Sequence, residues 1–186
     1  MSGAGHIDPS NKKVALMIAV LALVLAFSET LGNGSQTKAL SENIEASNLW
    51  AFFQAKTIRR TTVQTASESA ALELPNAQGP AKEAIEKQMA SWKAAAERYE
   101  SEPATNEGRK ELMGRAKAAE TKRDTALAAY HHYEVASAAV QIAIVLASAE
   151  IVTGVAFLSG IAGLLGIVGV AFCVIGFWFP MAVHLF

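Results

Sequence analysis

YEVASAAVQIAIVLASAEIVTGVAFLSGIAGLLGIVGVAFCVIGFWFPMAVHLF, residues Tyr133 to Phe186, carries only two full charges, Glu134 and Glu150. At about 1.5 Å per helical residue the stretch is long enough to cross a ~30 Å hydrocarbon layer twice. A further apolar run, Val14 to Leu31, supplies a third crossing. Between the two lies a polar, alanine-rich segment. The expected fold is therefore an all-α membrane protein with three transmembrane helices and an inserted helical stalk of coiled-coil type. Its expected divisions are a tail at 1–12, a first membrane helix at 13–32, the stalk at 33–132, and membrane helices at 133–158 and 159–186.

Charge is segregated in the same way. Of the 16 Lys+Arg and 17 Asp+Glu, fourteen of each fall between Lys38 and Glu134. With no net field, that segment has nothing to attract nucleic acid. The one cysteine, Cys173, lies within an apolar run, so no intrachain disulfide can form.

Ser10 or Asn11 can cap a helix that follows Lys12-Lys13. Gly32-Asn33-Gly34-Ser35 is expected to break it. A second helical pattern then runs through Leu40, Ile44, Trp50, Phe53 and Ile58 toward Leu72, and the two prolines and glycine of Leu74 to Pro80 stop it. Ile85, Met89, Trp92, Ala96 and Tyr99 follow at seam spacing, closed by Glu102-Pro103 to Gly108. Leu112, Ala116, Ala119, Ala126 and Tyr130 continue that spacing. No breaker separates them from the apolar stretch, so one helix is expected from about Arg109 into the bilayer. Thr153-Gly154 and Ser159-Gly160 both signal the last turn.

Small side chains line one flank of each apolar run. Ala15, Ala19, Ala22 and Ala26, closed by Glu29, share a helical face. So do Ala136, Ala139, Ala143 and Ala147, closed by Glu150, and, in the last run, Ala162, Gly166, Gly169, Cys173 and Gly176. Lipid tails are as apolar as leucine, so membrane helices associate where small residues let backbones approach. Three such flanks are enough for a three-helix bundle, or for a bundle with one flank left over for a neighbouring subunit.

Carboxylates inside a bilayer are costly, which makes Glu29 and Glu150 candidates for an ion pathway, a proton relay or a partner contact. Gln141 and Ser148 suit interhelical hydrogen bonds. His131-His132 are about 100° apart on a helix and lack the spacing that lets two imidazoles share a metal. Lys56 with Arg59-Arg60 could meet headgroups or an acidic partner, though a solvated helix face is the expected reading. No phosphate loop, nucleophile elbow or zinc pattern occurs, so no catalysis, cofactor or metal is expected.

Trp50 to Arg60, with Tyr133-Glu134-Val135-Ala136 and Gln141 to Ser148, resembles an uncharacterised bacterial family of small inner-membrane proteins, a domain of unknown function. The resemblance covers most of the chain from about Lys12. It implies one N-terminal span, a helical middle and a C-terminal hairpin, and supplies no activity. Lys12-Lys13 favour a cytoplasmic N-terminus and hence a periplasmic helical segment, whereas Arg115, Lys117, Lys122 and Arg123 argue the reverse. The function expected is a non-enzymatic, self-associating scaffold or accessory subunit of a larger membrane complex, held in lipid. The alternative is a small oligomeric channel or transporter subunit using Glu150 or Glu29.

Overall fold

The computed structural model describes residues 9–183, with side chains from Lys12 onward. Residues 1–8 of the expected tail and the capping side chains of Ser10 and Asn11 lie outside the described residues, while 9–12 already belong to a helix. Among the described residues four α-helices account for nearly all positions: α1, Pro9–Glu73; α2, Pro80–Glu100; α3, Arg109–Thr153; and α4, Phe157–Trp178. A single 3₁₀ turn, Leu74–Asn76, follows α1, and no strand occurs among the described residues. α1, α3 and α4 are each long and apolar enough to cross a membrane.

The sequence places most helix ends well, and each has a local cause. Pro75 lacks the N–H that would continue α1, and Gly79 starts α2 from a positive φ of 55° that only glycine adopts without strain. Of the two candidate final turns, the chain uses the first: α3 ends at Thr153, and Gly154 turns at φ 71°, its N–H donating to Glu150 O at 2.7 Å. After this turn α4 begins at Phe157 and runs to Trp178. The expected break at Gly32 to Ser35 does not occur, because α1 runs through it without interruption.

The reason is register. From Val14 every third or fourth residue of α1 avoids solvent: Val14, Ile18, Leu21, Leu25, Ser28, Gly32, Ser35, Ala39, Glu42, Ala46, Leu49, Phe53 and Lys56, and on to Ala70. A 3,4 spacing of this kind is the geometry of helices packed at shallow angles. Gly32 and Ser35 are seam residues within it. A glycine costs up to about 1 kcal/mol in a helix interior, too little to stop a helix held along its whole length. Leu40, Ile44, Ile58 and Leu72, which mark the helical pattern in the sequence, lie outside this register and are exposed.

The chain divides into two compact units. The apolar unit comprises the described residues up to Leu40 and from Arg123 on. The charged unit is Ser41–Lys122. Its core is Ala46, Leu49, Leu112, Ala116 and Ala119 with Trp50, Phe52 and Phe53 against them. Trp50 Nε1 donates to Glu120 Oε1 at 2.8 Å, tying α1 to α3. At the 101–108 connection, Glu111 accepts from the Ser101 hydroxyl at 2.6 Å and from the Glu102 N–H at 3.1 Å. The Ser101 bond is the main cause holding this carboxyl below its ordinary value, opposed by partial desolvation.

Candidate functional site

The small-residue flanks of α3 and α4 pack inside the apolar unit. Ala143, Ala147 and Ala162 are fully buried in a core with Val14, Leu21 and Val140. Gly166, Gly169 and Gly176 are buried too, and Ala139 is half-buried. A Cβ placed on Gly169 would lie 2.5 Å from Val140 Cγ2 and 3.2 Å from Ala136 O. One on Gly176 would lie 3.0 Å from His132 Cβ and 3.3 Å from Ala129 O. The α4 backbone thus rests on α3 itself. Gly166 is more forgiving, its nearest neighbour being the flexible end of Leu21, 2.6 Å from such a Cβ.

α1 behaves differently. Ala15, Ala19, Ala22 and Ala26 are exposed, and the helix turns Val14, Leu21, Ser28 and Gly32 inward instead. The sequence signal for this face is its sevenfold spacing, which the alternating alanines obscure. Ser28 is fully buried without strain because its hydroxyl donates to Leu25 O at 2.9 Å.

Two of the three polar candidates meet. Gln141 Nε2 donates to Glu29 Oε1 at 3.3 Å and to Ser137 Oγ at 3.2 Å. They line a recess of about 370 Å³ with Ser28, Asn33, Tyr130 and Tyr133. Glu150 stands apart. It is 7% exposed, and its Oε2 has no hydrogen-bond partner. Ser148 donates back to Ile144 O within α3, so it makes no bond to another helix. His132 is fully buried with Nε2 3.2 Å from Pro180 O, whereas His131 Nδ1 lies 3.5 Å from Glu134 Oε2. Among the described residues no three metal-binding side chains converge.

The basic cluster of α1 is not the solvated face its sequence suggests. Lys56 is 6% exposed, with its ammonium 5.4 Å from the Phe52 ring centroid and 5.7 Å from that of Tyr99. Glu102 and Glu107 stand at 3.7 and 3.8 Å from it. Arg109 lies over the Phe53 ring at 4.9 Å, donates to Thr57 Oγ1 at 2.9 Å and pairs with Glu100, which also takes Arg60 at 3.3 Å. Only Arg59 of this group is exposed. The clue in the sequence is Phe52 and Phe53 one helical turn before Lys56 and Thr57. These contacts neutralise the cluster internally and close the 101–108 connection against α1.

The chain is all-α among the described residues, and three of its helices are long and apolar enough to cross a membrane. The chain belongs to the family described as Domain of unknown function (DUF4337), which matches residues 10–179. No curated protein and no solved structure matches it.

Proposed function

We propose that this protein is a non-enzymatic, self-associating membrane scaffold or accessory subunit. Its three apolar helices lie in a bacterial inner membrane, and its charged unit is in the periplasm. Lys12 and Lys13, exposed at the start of α1, support a cytoplasmic N-terminus. The observation that carries the reading is the alanine flank of α1. The protomer uses the small flanks of α3 and α4 internally and leaves Ala15, Ala19, Ala22 and Ala26 uncovered. Within lipid, such a flank finds its partner in another close-packed helix.

The test is native mass in lipid nanodiscs. Wild type is expected as a multimer, and Ala19→Leu with Ala22→Leu is expected to shift it toward monomer. A monomeric wild type, or an unchanged mass in the double variant, would overturn the reading. Gly166 and Ala143 are poor probes of assembly because their neighbours are in the same protomer.

The orphaned Oε2 of Glu150 favours a second reading, a channel or transporter subunit in which this carboxylate handles a proton or cation. Glu150→Gln is then expected to abolish proton or cation flux into liposomes. Absence of flux through the wild type removes that reading.

A further inference from the structure

α1 of the charged unit carries a second pattern, on the side opposite its packed seam. Ile44, Ala51, Ile58, Thr65 and Leu72 recur every seven residues, half a turn away from Leu49, Lys56 and Val63. All five are exposed, Ile58 at 66% and Leu72 at 79%. Their flanking positions on that side from Ser41 to Thr62 are Ser41, Ser47, Asn48, Gln54, Ala55, Thr61 and Thr62. None is charged, and the charge-free stretch ends at Glu68, which flanks Thr65 and Leu72. The charged residues of α1 between Ser41 and Ser67 are Glu42, Glu45, Lys56, Arg59 and Arg60, and all of them fall on the half of the helix that holds the packed seam.

A solvated helix in so charged a unit has no reason to keep one long face free of charge. Helix-packing interfaces do, because their cores exclude charge. The face also has relief: Thr57, Ile58, Thr61, Thr62 and Thr65 line a shallow depression. Thr62 gives its hydroxyl to Ile58 O at 2.9 Å, which engages its polar group within the helix.

The charge pattern also selects the partner. Copies anchored in one bilayer point the same way and sit at the same depth, so around an axis along the membrane normal each residue of α1 faces its own counterpart. Any charge on that face would meet an identical charge. A foreign helix imposes no such rule and would be matched by complementary charges flanking the seam. We propose that Ile44, Ala51 and Ile58 form a parallel, in-register contact, ending before Glu68, with α1 of a second copy. The proposal rests on the self-association above and extends it outside the bilayer.

Disulfide trapping in native membranes tests it, in a Cys173→Ala background. Ala51→Cys and Ile58→Cys are expected to give roughly tenfold more cross-linked dimer than Glu45→Cys or Arg59→Cys, since a disulfide requires Cα atoms within about 7 Å. Adding Ala51→Glu should abolish the Ile58→Cys cross-link, and co-expression with an Ala51→Lys copy should restore it. Equal trapping at all four positions, or none at 51 and 58, overturns the proposal. If native mass then still reports a multimer, the in-register contact alone fails. If it reports a monomer, self-association fails with it.

Discussion

Gly169→Leu and Gly176→Leu are expected to lower the thermal stability of the detergent-extracted protein sharply, whereas Gly160→Leu leaves it near wild type. Over-packing a well-filled interface costs about 1–3 kcal/mol, and more where the obstacle cannot move. At Gly169 and Gly176 the obstacles include Ala136 O and Ala129 O of α3, which are backbone atoms. A leucine there must push the two helices apart along their length and forfeit the dispersion contacts that hold them in lipid. A Cβ added at Gly160 meets nothing within 4 Å, so a side chain there enters open space. Equal melting of all three variants would show that α4 does not depend on close approach to α3.

The second large effect is expected in the charged unit. Lys56→Ala removes a buried four-carbon stem, two ring contacts and the counter-charge of Glu102 and Glu107. Both carboxylates retain access to water, with Glu107 at 48% side-chain exposure, so their stranding is screened. The loss is then mainly packing and cation–π attraction, about 2 kcal/mol. Arg109→Lys tests the neighbouring node. It keeps the charge beside Glu100 but loses the flat guanidinium over Phe53 and the directed bond to Thr57, so it is expected to cost nearly as much as Arg109→Ala. Denaturant unfolding followed by circular dichroism reads both, and an Arg109→Lys variant as stable as wild type would reduce the contact to simple charge pairing.

Much of this architecture is legible in the sequence because its signals are strong and local. Pro75 and Pro103 lack the N–H that would continue a helix, and with no proline between Arg109 and Thr153 nothing stops α3 short of Thr153. Gly32 misleads because a glycine reads alike whether it ends a helix or lets one approach a neighbour. Here a Cβ on Gly32 would lie 3.4 Å from Tyr133 Cβ. The alanine flank of α1 misleads for a related reason: small residues identify a surface that can be approached closely and do not say by which helix. The burial of Lys56 is hidden because its acidic and aromatic partners, Tyr99, Glu102 and Glu107, are more than forty residues away in the chain. Composition along α1 alone cannot bring them to it.

The corner between α3 and α4 has a consequence for biogenesis. Only Gly154, Val155 and Ala156 separate the two helices, and no lysine or arginine lies between Arg123 and Phe186. A translocon sorting segments by cationic loops finds no retention signal at that corner. For a chain inserted in a bilayer, the expected consequence is that α3 and α4 enter as a pair, with the basic residues far upstream setting which way the pair points.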